Sequence, residues 1–135
     1  MTEASTQTGE LAERDVRLMM AIIRGEAAAV KQLLGEGADA NAKEKSGLTA
    51  LMWAAGGGRL DVVRSLIAHG ADVNAKSAVG RTALMCAAQA GHTAVVMGLL
   101  VAGADAHALD EGGLTALAIA ERHDHADIAR LLEGA

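Results

Sequence analysis

His123, Asp124, His125 and Asp127 form the densest cluster of metal-capable side chains in the chain. His123 and Asp127 stand at i and i+4, the spacing that places two side chains on one helix face. Structural zinc is usually held by four ligands, often cysteines, and no distant set of residues completes this cluster. It reads first as a solvated polar end, with no metal or cofactor assigned. A metal- or ligand-responsive regulatory domain using His123 and His125 stands as the alternative. Cys86, the only cysteine, lies among apolar helix residues with no histidine placed to activate it. It reads as a buried small hydrophobe. Gly56-Gly57-Gly58 lacks the Lys-Ser/Thr of a phosphate-cradling loop and the strand-to-helix setting of a dinucleotide fingerprint. It marks a turn between helices, where missing side chains leave room for a partner's backbone. No Ser-His-Asp set or carboxylate pair recurs where a repeat would expose it, so the chain is read as no enzyme.

The elements that position these residues are set by a repeat. Gly47, Gly80 and Gly113 are spaced 33 apart, and each opens the same skeleton. From Gly80 it runs Thr82-Ala83-Leu84-Met85, Ala87-Ala88, Gly91, Val95-Val96, Leu99-Leu100 and Gly103-Ala104-Asp105. The copy before it carries Thr49, Leu51-Met52, Ala54-Ala55, Gly58, Val62-Val63, Leu66-Ile67 and Gly70-Ala71-Asp72. The copy after it keeps Thr115, Leu117, Ala120, Ile128 and Leu132. A worn first copy holds Leu18, Ala21, Gly25, Val30, Leu33-Leu34 and Gly37-Ala38-Asp39. A fixed period in this range signals stacked repeats. Each unit predicts an inner helix capped by its threonine hydroxyl, a glycine turn, and an outer helix with a buried aliphatic stripe. A β-turn finger then leads to the next unit. The expected layout is a mobile tail at 1–10 and one domain over 11–135. Its units fall at about 14–46, 47–79, 80–112 and 113–135. Charged Arg14-Asp15-Val16-Arg17 caps one end. Asp124, Ala129 and Glu133 replace the glycine and apolar residues of earlier units at the other, as a solenoid terminus requires. This pattern leads us to expect a whole array rather than a slice of one.

The 135 residues suffice for one continuous core. There is no Phe, Tyr or Pro and a single tryptophan, Trp53, so the core is built from Ala, Val, Leu, Ile and Met. Trp53 aligns with Cys86 and Ile119 on the inner helices and is expected in that core. A net charge of −5, with scattered Lys and Arg, gives no reason to expect nucleic acid. No apolar run has the roughly 18 residues needed to cross a bilayer. A polar N-terminus lacks a signal peptide's apolar segment, so the expectation is a cytoplasmic monomer, or a periplasmic one if a leader has been removed.

The spacing of Gly, Thr, Leu, Ala-Ala, Gly and Gly-Ala-Asp over residues 14–135 resembles the ankyrin repeat family. That resemblance implies an all-α solenoid of about four helix-turn-helix units with β-hairpin or turn fingers along one edge. One departure is consistent: the family's Pro is Ala50, Ala83 and Ala116 here, and its His is Met52, Met85 and Ala118. The methionines are expected to replace a Thr–His hydrogen bond by apolar packing. This suggests a natural, divergent member of bacterial type.

The resemblance also implies a protein partner on the concave face, formed by finger tips and the open side of the inner helices. Those positions are Ile23 in the cap, then Lys45, Ser46, Leu48, Gly56 and Gly57. The next unit supplies Lys76, Ala78, Val79, Arg81, Gln89 and Ala90, and the last supplies Leu109, Glu111, Leu114 and Arg122. Ile23, Leu48, Val79, Leu109 and Leu114 would form an apolar strip edged by Lys and Arg. Lined-up surface apolars of this kind mark interaction sites. The expected role is a non-catalytic binding module that regulates or inhibits its partner.

Overall fold

The computed structural model describes residues 12–135, and the tail read at 1–10 lies outside them. Eight helices follow one another among the described residues. They are α1 (Glu13–Arg24), α2 (Ala27–Gly35), α3 (Ala50–Gly56), α4 (Leu60–Ala68), α5 (Ala83–Ala90), α6 (Thr93–Val101), α7 (Ala116–Arg122) and α8 (Ala126–Glu133). They pair as α1/α2, α3/α4, α5/α6 and α7/α8. Odd-numbered helices pack on odd and even on even from one pair to the next, giving two helical layers.

Local chemistry starts and stops the inner helices of the last three units in the same way. Thr49, Thr82 and Thr115 precede α3, α5 and α7 in extended conformation. Their Oγ1 atoms accept from the backbone N–H of Met52 (3.1 Å), Met85 (3.3 Å) and Ala118 (3.2 Å). Each such cap contributes about 1 kcal/mol. At the other end, the N–H groups of Arg59, His92 and His125 return to the carbonyls of Ala54, Ala87 and Ala120 at 2.9–3.0 Å. That closure needs a left-handed residue just before it. Gly58 (φ 72°) and Gly91 (φ 83°) supply it, and Asp124 (φ 59°) does so in the last unit.

The core is one contiguous body of small aliphatic side chains. Leu18, Leu51 and Leu84 are buried in a row, and Leu117 continues it, partly buried. Ala54, Ala55, Ala87, Ala88 and Ala120 are fully covered, which lets the layers approach closely. Outer helices add Val30 and Leu34, then Val62, Val63 and Leu66, then Val95, Val96 and Leu99, then Ile128 and Leu132. Burying each such large side chain stabilises the fold by about 1.5–3 kcal/mol. Leu33, Ile67 and Leu100, expected in this stripe, are only partly buried. Residues at i, i+1, i+4 and i+5 span more of the helix circumference than one covering layer, so the last of them, Ile67 and Leu100, falls on the shoulder. In the first unit Leu34 is buried and Leu33 takes the shoulder instead.

The fingers are tight turns; no strand forms among the described residues beyond one antiparallel bridge, Lys43 to Thr49. Their arms are too short for a ladder. Inside each finger two N–H···O bonds close the turn, each 2.9 Å. They run from Glu44 to Leu48, Ser77 to Arg81 and Asp110 to Leu114, and back from Gly47 to Glu44, Gly80 to Ser77 and Gly113 to Asp110. Successive fingers are joined by Ala78 N–H to Ser46 O and Glu111 N–H to Val79 O, both 2.9 Å.

Two side-chain ladders tie the units together. Asn41 donates to Gly70 O (3.0 Å) and accepts from Asp72 N–H (2.7 Å). Asn74 repeats this with Gly103 O (3.2 Å) and Asp105 N–H (2.7 Å). On the turns between helices, His92 Nε2 meets Gly56 O at 3.1 Å and His125 Nε2 meets Gln89 O at 3.0 Å. A carbonyl only accepts, so the proton sits on Nε2 in both rings. Arg59 occupies the matching place against Gly25.

Candidate functional site

The inner helices and fingers enclose an apolar pocket centred on α3. Ile22 and Ile23 at the end of α1 form one wall, Leu48 and Met52 the finger side, and Trp53 and Cys86 the remainder. Gly56 and Gly57 leave its floor without side chains, and Arg59 stands at its edge. The volume is about 410 Å³. Trp53 shapes the pocket. Its indole is too large for the alanine-lined space between inner helices. The ring remains 37 % exposed and its Nε1–H donates to Glu44 Oε2 at 2.8 Å. Placement in the core, expected from its alignment with Ile119, is therefore corrected; Ile119 alone in that column is buried.

Of the five apolar residues expected along the groove, Ile23 (51 %), Val79 (51 %) and Leu109 (53 %) are exposed. Leu48 and Leu114 are partly buried against the core, so the strip is interrupted at both. The finger geometry explains the difference. Leu48 and Leu114 carry the carbonyls that close their turns, which draws their side chains back toward the helices. Lys45 and Ser46 are exposed, as are Ala78, Glu111 and, at the end of α5, Gln89 and Ala90. Lys76 reaches across to Leu109 O (3.2 Å). Gly57 is open and Gly56 half-covered, while Arg122 is exposed at the end of α7. Arg81 is half-buried, its Nη2 donating to Gln89 Oε1. Its Nε is buried with no hydrogen-bond partner, the only side-chain polar atom so placed among the described residues. An unsatisfied buried donor of this kind costs about 1–3 kcal/mol.

Cys86 is half-buried on the pocket wall, and burial pushes its thiol pKa up from the usual 9.0, with the nearby Arg81 charge opposing. Such a thiol stays protonated near neutrality and is a poor nucleophile. At the C-terminal end, His125 is committed through Nε2 to Gln89 O and His123 through Nδ1 to Ile119 O (3.0 Å). Their rings stack with centroids 6.3 Å apart. No group of three or more His, Cys, Asp or Glu side chains able to hold a metal occurs among the described residues. The metal-responsive alternative is left without support.

These stacked pairs, threonine caps and joined fingers agree with a family model for ankyrin repeats in three copies, which matches residues 18–110 and again 77–134. The chain belongs to the ankyrin repeat family. No curated protein matches it as a relative. Ankyrin repeats are generally protein–protein interaction modules and typically non-catalytic. Within the ankyrin pattern, Met52 and Met85 stand for the histidine and are buried, as apolar packing requires. Thr49 N–H points at Met52 Sδ at 3.5 Å, a weak sulfur contact in place of a ring nitrogen. Among the described residues, no helix is long and apolar enough to cross a membrane.

Sequence reasoning missed three things. One was the openness of Trp53 with Arg59 beside it. Another was the asparagine ladder, legible as Asn at 41 and 74 after each Gly-Ala-Asp-x. The third was an apolar outer surface on α6, where Met97 is half-exposed and Val101 is 90 % exposed. The signal for it is the absence of any charged residue from Thr93 to Val101.

Proposed function

We propose that this ankyrin chain is a non-catalytic module that docks a protein partner in the groove between its fingers and inner helices, and thereby regulates or inhibits it. The observation that carries this reading is the exposure of Ile23, Val79 and Leu109 on the finger and inner-helix positions, with Trp53 open beside Ile23. The framework around them repeats, yet these residues change type from unit to unit, so packing does not account for them. Exposed apolar residues in line, rimmed by polar ones, characterise interaction surfaces. A half-buried, protonated Cys86 and histidines held by carbonyls support a binding role over catalysis. A single cysteine and an acidic net charge accord with a cytoplasmic monomer.

The test is capture of partners by the full chain, compared with the triple variant Ile23→Glu, Val79→Glu, Leu109→Glu. All three side chains are exposed, so the variant retains its fold by circular dichroism. Loss of a captured protein from the triple variant, with retention by Met97→Glu, is expected. Retention of every partner by the triple variant refutes the groove as the docking site.

A further inference from the structure

Building on the groove reading, we infer that the pocket over α3 receives one bulky apolar side chain from an acidic segment of the partner. Shape and lining set the first half. Ile23, Met52, Trp53 and Cys86 offer apolar walls around a floor of Gly56 and Gly57, with space of about 410 Å³. A bulky side chain seated in it displaces water from the apolar walls it meets.

Charge sets the second half. The chain carries a net −5, yet around this pocket cationic groups outnumber the one carboxylate, Glu44. Arg59 lines it, Lys45 stands on the adjoining finger, and Arg81 lies close enough to Cys86 to act on its thiol. Among the described residues the ion pairs are Arg17 with Glu13 and Arg130 with Asp127. Neither belongs to the groove. Glu44 stands beside the pocket, accepting from the Trp53 indole while keeping its charge. The half-buried Arg81 guanidinium donates through Nη2 to Gln89 and forms no ion pair among the described residues, so its charge is left for a carboxylate brought in beside the anchor. An acidic segment therefore complements the groove where a basic or neutral one does not.

Selection from phage-displayed random dodecapeptides on the full chain, with Gly56→Leu as counter-target, tests the inference. That substitution adds bulk where the pocket has none: Gly56 closes α3 in ordinary helical conformation, and an added Cβ meets only Cys86 Cβ at 3.9 Å. Expected winners pair Phe, Leu, Ile or Trp with neighbouring Asp or Glu. Tryptophan-free winners should shift the fluorescence of Trp53, the only tryptophan. They should bind Gly56→Leu at least tenfold more weakly and Lys45→Gln with Arg81→Gln at least threefold more weakly, with reduced salt dependence. Winners lost on Val79→Glu with Leu109→Glu but indifferent to Gly56→Leu would end this inference and leave the groove reading standing. Enrichment of basic or uncharged peptides, or none over the counter-target, would also overturn it. Winners lost only on Met97→Glu would overturn both.

Discussion

Two glycines with nearly the same backbone conformation separate conformational strain from steric exclusion. Gly70 (φ 92°) has nothing within 4 Å of where a Cβ would stand, whereas at Gly91 (φ 83°) that atom would lie 2.7 Å from the His125 ring. Gly70→Ala should cost about 1–2 kcal/mol, the left-handed penalty alone. Gly91→Ala should cost clearly more, because it also expels His125 from the Gln89 carbonyl; urea unfolding of the two variants checks the order. Cys86 makes a second prediction. Its folded pKa lies above its unfolded one, so the unfolded state sheds its proton first. Stability is full below the ordinary thiol range and falls as pH rises through the raised value. Alkylation by iodoacetamide at pH 8 should run slower than for a free cysteine peptide. Arg81→Gln should slow it further, since the cation opposes the upward shift.

Inner helices begin where the family carries proline, and this chain has Ala50, Ala83 and Ala116. The preceding threonines are extended, with Thr82 at φ −111°, ψ 167° and Thr115 at φ −91°, ψ 168°, which proline tolerates in its predecessor. Ala83→Pro and Ala116→Pro should each raise stability by about 0.4–1 kcal/mol through a less free unfolded chain. Ala50→Pro should not, because Ala50 N–H donates to Ala42 O at 2.9 Å and proline removes that bond. Thermal melting of the three variants distinguishes them. Helix limits were legible in the sequence because Thr and Gly act within one turn of the backbone they terminate. The fate of Leu48 and Leu114 was not. Their burial depends on where a finger's carbonyl turns, and no periodicity records that.

Stacking gives the whole molecule its stability through contacts between neighbours. Asn74 makes two of these at once, to Gly103 O and Asp105 N–H, while His107, its counterpart in the next unit, makes none to a later unit among the described residues. Asn74→Ala should cost about 1–3 kcal/mol from two lost inter-unit hydrogen bonds. His107→Ala should cost under about 0.5 kcal/mol, the usual range for surface changes. Equilibrium denaturation of the pair measures the difference; equal losses would show that the asparagine ladder adds nothing to the stack. By itself the sequence determined the period, the helix caps, the left-handed glycines and the aliphatic row from Leu18 to Leu117. Each follows from residue type acting at fixed spacing. Tertiary structure alone decided that Trp53 opens onto a pocket and that His92 and His125 fasten one unit to the last. It also left the Arg81 Nε, though not the rest of its guanidinium, buried without a hydrogen-bond partner. Those outcomes depend on what a neighbouring unit places within a few ångströms, and spacing along one chain does not encode that distance.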